Sequence, residues 1–158
     1  MNLEAHSRNL RLNRVKDSSA TFFITKCLFP KKPILNQEAT DAIISALAFA
    51  VEKERIYLRA FVVMPDRWHA LFALIEPWIL SKFMHGLMSY VGGKTSRLMT
   101  CHKTGWQDSY YDTLIKTPRQ FEFVAEYIEL NPVTKGLVEK PQEWVGSSAS
   151  RPDLVTEP

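Results

Sequence analysis

Side chains that could act on a phosphodiester occur in two short segments of the sequence. In VVMPDRWHALFAL, His69 follows a tight Pro65-Asp66 break, and in QFEFVAEYIELNP, Asn131 follows Tyr127 by one helical turn. A tyrosine hydroxyl can attack phosphorus if a neighbouring group polarises the phosphate. An imidazole can bind a metal or carry a proton. Together these residue types would suit the cutting of a nucleic-acid strand.

Each of these residues also has an ordinary structural interpretation. His69 lies in an apolar strand-like run, where a packed and hydrogen-bonded imidazole is commoner than a ligand. Tyr127 lies at the edge of an apolar helical stripe, where a tyrosine usually packs its ring and leaves its hydroxyl in water. The chemical interpretation therefore depends on whether the fold brings the two residues together.

The elements that must position these residues follow from hydrophobic periodicity. Strands are predicted at residues 20–28, 56–64, 68–75 and at the end of the aromatic segment WQDSYYDTLI, and helices at about 38–54, 79–99 and 118–130. Thr117 is the predicted N-cap of the last helix, which should end before Asn131-Pro132. This order predicts an α+β fold, a ferredoxin-like βαββαβ sandwich with an additional C-terminal helix that carries the tyrosine.

The two periodicities predict where the candidate residues point. Alternation along a strand places Arg67 and His69 on one face of the sheet and Trp68 on the other. Helical periodicity places Tyr127 and Asn131 on the same side of the last helix. We therefore expect Tyr127, Asn131, His69 and Arg67 to converge.

Composition is that of one globular domain that spans residues 1–158. The hydrophobic fraction is 46% and the charged fraction 23%, and we find no repeat and no linker. Residues 1–18 are predicted to be a basic arm, whose Arg8, Arg11 and Arg14 could contact phosphates. The alternative is a solvated terminus. Residues 149–158 are expected to be a disordered tail.

The compartment and the middle of the chain give further expectations. Cys27 and Cys101 lack metal-site spacing and are interpreted as free thiols. No apolar run suits a signal peptide or a membrane span, so we expect a cytoplasmic protein with no membrane contact.

The middle of the chain contains cations and aromatic rings, a combination that suits single-stranded nucleic acid but is also found on any folded surface. The candidate DNA contacts in this region are Lys82, Lys94, Arg97 and Trp106.

Several segments, taken in order, resemble the REP-associated tyrosine transposases, a branch of the single-tyrosine HUH transposases. They are ATFFIT, AFVVMPDRWHALFAL, GWQDSYYDTLI and EYIELNPVTKGLVEKPQEW, and the resemblance covers about residues 8–148. It implies a ferredoxin-like protein that cuts and rejoins single-stranded DNA beside hairpins, as a monomer or a homodimer. It also implies Tyr127 as the nucleophile and His69 and Asn131 as ligands of Mg²⁺ or Mn²⁺.

The sequence departs from this family at Arg67, where the resemblance implies the first histidine of the metal-binding pair. A guanidinium has no lone pair for a metal, and its charge repels a cation. It can instead neutralise a phosphate by a bidentate contact. We therefore expect binding of single-stranded or hairpin DNA with weakened or abolished cleavage. The alternatives are a catalytically retired hairpin-binding protein and a ferredoxin-like protein-interaction or RNA-binding module.

Overall fold

The computed structural model describes residues 20–30, 34–98 and 105–156 of the 158-residue chain. Within these ranges, four strands form one antiparallel sheet with the order β2-β3-β1-β4. The strands are β1 (Thr21–Cys27), β2 (Ile56–Met64), β3 (Arg67–Leu74) and β4 (Tyr111–Leu114). The strand order and the connecting helices are those of the predicted ferredoxin-like α+β sandwich.

In the described part of the chain, three α-helices cover the two faces of this sheet. They are α1 (Gln37–Glu52), α2 (Leu80–Leu98) and α3 (Pro118–Thr134), and short 3₁₀ turns follow at Pro141–Glu143 and Pro152–Leu154. Helices α1 and α2 pack on one face, and α3 packs on the other. The helix with the tyrosine is thus the additional C-terminal element, as predicted.

Alternation along β3 divides its side chains between two hydrophobic cores. Trp68 is fully buried in the core beneath α1 and α2, whereas Leu71 packs in the core beneath α3 with Val124 and Ile128. Since successive side chains of a strand point to opposite faces, Arg67 and His69 lie on the α3 face. The predicted separation of Trp68 from its two neighbours is confirmed.

Helix α3 begins as predicted and ends later. The Thr117 hydroxyl accepts a hydrogen bond from the backbone N–H of Gln120 at 3.1 Å, which is the expected N-cap. The helix continues through Pro132 to Thr134, so the predicted end before Asn131 is wrong. Pro132 lies in the last turn, where few helical bonds remain to be disturbed, and Lys135 N–H still donates to the Asn131 carbonyl at 3.0 Å.

The C-terminal segment covers the outer edge of β2. The Val63 N–H donates to the Gly146 carbonyl at 2.7 Å, and the Thr156 N–H donates to the Leu58 carbonyl at 2.8 Å. A Cβ on Gly146 would lie 3.2 Å from the Val63 carbonyl oxygen, which explains the glycine. The predicted disordered tail at 149–158 is therefore wrong for residues 149–156, because β2 offers unpaired backbone groups that this segment satisfies. No helix in the described ranges is long and apolar enough to cross a membrane.

Candidate active site

The β2–β3 turn and strand β1 set the position of His69 and Arg67. Cross-strand pairing aligns His69 with Thr25 and Arg67 with Cys27. Strand β4 extends this row, because Thr25 also pairs with Tyr111. The sheet beneath the end of α3 therefore presents a row of polar side chains, and apolar residues occupy the same face further along the strands.

His69 is a buried and neutral imidazole. Its Nδ1 lies 2.7 Å from the Thr25 hydroxyl oxygen, and only 3% of the residue is exposed. Burial and then the charge of Arg67 lower its pKa to about 4. Because the hydroxyl occupies Nδ1, Nε2 is the ring nitrogen left for any further partner.

Tyr127 reaches His69 from α3. The two rings meet edge to face with centroids 6.0 Å apart, and the Tyr127 ring lies at the same centroid distance from Phe23. Tyr127 remains 38% exposed and lines a cleft, so the residue is accessible to a ligand. The structure thus brings together the tyrosine and the histidine that the two sequence segments supply.

Asn131 lies one turn after Tyr127 and is buried, with 5% of its surface exposed. A cleft of about 540 Å³ opens beside Tyr127, His69 and Arg67, and Asn131 does not line it. Tyr127, His69 and Arg67 therefore converge on the cleft as expected, and Asn131 does not. Asn131 faces the sheet because it continues the buried stripe of Val124 and Ile128 along the helix.

Arg67 forms a bidentate ion pair with its neighbour Asp66. Its Nε lies 3.1 Å from one carboxylate oxygen, and a terminal nitrogen lies 2.9 Å from the other. This bond lowers the pKa of Asp66 and raises the pKa of Arg67, so both groups stay charged. Asp66 also orients the guanidinium at the mouth of the cleft, where its charge, after burial, contributes to the lowered pKa of His69.

The donor set of this cleft does not fit the divalent cation that the resemblance implies. Mg²⁺ needs several oxygen or nitrogen ligands, and the guanidinium of Arg67 brings a positive charge in place of a ligand. The Asp66 carboxylate is already engaged by Arg67, and Thr25 engages one nitrogen of His69. Among the described residues, no three His, Cys, Asp or Glu side chains are grouped as a metal site would need. The cleft is better suited to an anion.

Sequence reasoning missed several residues of this cleft. Those residues of its lining include Thr25, Cys27, Phe29 and Gln107. Strand alternation could have identified the side of the sheet on which Thr25 lies, but not its strand partner. Gln107 comes from the loop before β4, which has no periodic signal.

Lys135 is a second cation that the sequence analysis did not select. Its charge is the smallest of the causes that lower the pKa of His69 and of Asp66, so it lies within electrostatic range of both groups. Lys135 is exposed and follows Asn131 by one turn, which places it on the same side as Tyr127. The helical spacing from Tyr127 would have indicated it.

The predicted DNA-contact residues are distributed over several places. Lys82 and Lys94 are exposed on α2, on the opposite side of the sheet from Tyr127. Trp106 is buried, and its Nε1 donates to the Thr95 hydroxyl at 3.0 Å. No ring face of Trp106 is available to a base, so its selection as a DNA contact is wrong. Arg8, Arg11, Arg14 and the side chain of Arg97 lie outside the described part of the chain.

The fold and the site define a ferredoxin-like sandwich in which the helix that carries Tyr127 packs over the strand that carries His69. The sequence profile of the IS200-like transposases (Y1_Tnp) matches residues 19–131. The chain belongs to this family. A comparison with curated proteins gives no match.

The solved structures that are similar to this chain include the following two. One is a REP-associated tyrosine transposase bound to a REP hairpin, with 19% identity, a TM-score of 0.74, and coverage of 94% of this chain and 84% of that one. The other is a protein of Deinococcus radiodurans R1 that was assigned as a transposase. It has 19% identity, a TM-score of 0.51, and coverage of 69% and 88% respectively. At this identity both likenesses concern the fold.

Proposed function

We propose that this protein binds single-stranded or hairpin DNA through the Tyr127 face and holds a backbone phosphate with Arg67. The observation that carries the proposal is the guanidinium of Arg67 beside Tyr127, fixed by Asp66 at the mouth of the cleft. Membership of the transposase family supports DNA as the ligand, and so does the hairpin in the similar structure.

Arg67 can contact a phosphate without leaving Asp66. The carboxylate engages Nε and one terminal nitrogen, and the guanidinium carries further N–H donors. The ion pair therefore fixes the direction of the remaining donors and reduces the entropy lost when they bind. Lys135 adds a second positive charge near the cleft, which favours a polyanion.

The same residues argue against metal-dependent cleavage. The pKa of His69 is about 4, so its imidazole is neutral at pH 7 and could still donate to a metal, but Arg67 brings a positive charge where a second ligand would be needed. The described residues that line the cleft supply no group of ligands for a cation that would polarise the phosphate. We therefore propose a DNA-binding protein whose cleavage activity is weak or lost.

The experiment compares two arginines with the same local geometry. Arg151 forms a bidentate pair with Asp153 at 2.9 and 2.8 Å, and its exposed fraction of 43% is close to the 40% of Arg67. Fluorescence anisotropy with a labelled hairpin that carries a single-stranded flank, in EDTA, should show weaker binding for Arg67→Ala. The slope of log affinity against log salt should fall by about one. Arg151→Ala should behave as wild type, and equal behaviour of the two variants would refute the proposal.

Strand cleavage by Tyr127 is the second candidate function. Its support is the accessible Tyr127 ring against His69, with 38% of the residue exposed. In this reaction the tyrosine oxygen bonds to phosphorus and loses its proton, and the P–O3′ bond breaks. The 3′ oxygen gains a proton, and the 5′ end remains as a phosphotyrosine. A 3′-end-labelled single strand that becomes covalently attached to the protein in Mn²⁺ would establish this function.

A further inference from the structure

A second large depression lies on the side of the sheet opposite Tyr127. We call it the α1–α2 groove, a volume of about 580 Å³ lined by residues of both helices and by Arg55 and Trp78. Small residues, among them Ala46, Ala50 and Gly86, contribute to its lining. A Cβ on Gly86 would meet no atom within 4 Å, so the groove is open at this point.

Aromatic rings surround the α1–α2 groove, and much of their surface is exposed to solvent. Phe49 of α1 is 47% exposed and Tyr90 of α2 is 48% exposed. Trp78 lies just before α2 and packs edge-on against Phe83 with centroids 6.5 Å apart. Exposed rings grouped around an open groove are a feature of binding sites.

Cations lie beside these rings. The guanidinium of Arg55 is 4.6 Å from the Trp78 ring centroid and 5.2 Å from that of Phe49, so both rings contact it. The Lys94 ammonium lies 5.8 Å from the Tyr90 centroid. The carboxylate of the lining belongs to Glu52, and one of its oxygens is 3.5 Å from the Lys53 ammonium. The groove therefore combines flat apolar surfaces with positive charge.

We infer that the α1–α2 groove binds unpaired bases of single-stranded DNA, at a site separate from the Tyr127 cleft. Bases stack on the exposed rings of Phe49 and Tyr90, and backbone phosphates contact Arg55 and Lys94. This inference rests on the proposed function in so far as DNA is the ligand.

The charges of the groove favour DNA over the apolar face of a partner protein. An apolar helix in the groove would remove Arg55 and Lys94 from water and bring no anionic group to either of them, which is unfavourable. A nucleotide supplies both a stacking surface and a phosphate. The exposed Lys82 on α2 adds a further cation for a strand that leaves the groove.

The position of the groove predicts independent binding. The sheet separates it from Tyr127, so a short strand cannot contact both sites without passing around the fold. An oligothymidylate of a few nucleotides should therefore bind the groove whether or not Arg67 is present. A hairpin with a long single-stranded flank should use both sites.

The first test measures the affinity of a short oligothymidylate by fluorescence anisotropy. The double variant Phe49→Ala, Tyr90→Ala should bind at least about tenfold more weakly, as expected from the loss of a stacked base. Val145→Ala changes another exposed apolar residue, 66% exposed, and should bind as wild type. In the Arg67→Ala background, in which phosphate binding at the Tyr127 cleft is weakened, the double variant should lower the affinity for the oligothymidylate by a similar factor.

The second test uses the wild-type protein, so it does not depend on the folding of a variant. Ultraviolet crosslinking of an oligonucleotide that contains 5-iodouracil, followed by mass spectrometry, should modify peptides that contain Phe49, Trp78 or Tyr90. Crosslinks confined to peptides of the Tyr127 cleft would overturn the inference. So would a wild-type dimer that the double variant converts to a monomer in sedimentation, because the groove would then be a protein interface.

These outcomes separate the two proposals. If Arg67→Ala weakens hairpin binding and the groove variant binds oligothymidylate as wild type, the groove inference fails and the proposed function stands. If the protein binds no DNA at all, both fail.

Discussion

Thr25 and His69 are cross-strand partners, and the Thr25 hydroxyl oxygen lies 2.7 Å from Nδ1 of the imidazole. This bond fixes the orientation of the imidazole ring and leaves Nε2 for a ligand on the Tyr127 side. In metal and proton-transfer sites a second residue orients the histidine through such a hydrogen bond, and Thr25 stands in the same relation to His69.

Thr25→Val should destabilise the protein by about 1–3 kcal/mol, because Nδ1 of a buried imidazole would lose its partner. Thr25→Ser keeps the hydroxyl and should lie much closer to wild type. Urea denaturation gives both free energies of unfolding, and the ¹⁵N shifts of His69 report the tautomer. Equal stability of the valine and serine variants would mean that the bond makes no net contribution.

The low pKa of His69 makes the stability of the fold depend on pH. Its pKa is lowered from 6.5 to about 4 in the folded protein, so the unfolded chain binds the proton more tightly. Protonation therefore favours unfolding as pH falls from 6.5 to about 4. The total loss from this group is about 3 kcal/mol.

His69→Gln retains hydrogen-bonding groups and cannot titrate. The difference in unfolding free energy between wild type and this variant should shrink or reverse between pH 7 and pH 4.5. A constant difference over this range would show that His69 does not titrate below its usual pKa.

The sequence allowed the main features of the Tyr127 face to be predicted because two strict periodicities determine them. Alternation along β3 placed Arg67 and His69 together, and the apolar stripe of α3 set the side on which Tyr127 lies. Both signals are local, so they survive without any knowledge of tertiary contacts.

The features that were missed depend on contacts between distant parts of the chain. Trp106 has the composition of a stacking residue, but its environment is set by Thr95 and the core beneath α2. Arg55 and Trp78 meet only because the ends of α1 and β3 come together. The order of residues 149–156 likewise comes from the edge of β2, which no local pattern in that segment reveals.

The basic arm should contribute to DNA affinity through phosphate contacts. Replacing Arg8, Arg11 and Arg14 together with Ala should weaken binding of structured single strands and lower its salt dependence, because fewer counterions would be released. Anisotropy titrations at several salt concentrations measure both effects. Unchanged affinity in the triple variant would assign the phosphate contacts to the folded domain instead.

Arg67 itself provides the sharpest test of the cleft. The unmodified protein should show little or no metal-dependent cleavage, because a cation stands where the resemblance implies a metal ligand. Arg67→His would place two imidazoles on one face of β3, with Trp68 pointing away between them. This substitution should raise the affinity for Mn²⁺, which calorimetry or electron paramagnetic resonance measures directly in the absence of DNA.

The same variant should also form a covalent adduct with single-stranded DNA at Tyr127, detected on a denaturing gel with a 3′-end-labelled strand. Adding Tyr127→Phe should abolish the adduct and leave DNA binding nearly unchanged, since the phenyl ring keeps the contacts with His69 and Phe23. Mn²⁺ binding without an adduct would mean that the metal site can be rebuilt but that Tyr127 is not placed for attack. Robust cleavage by the unmodified protein would refute the argument, because the Arg67 guanidinium would then stabilise the phosphate without a metal.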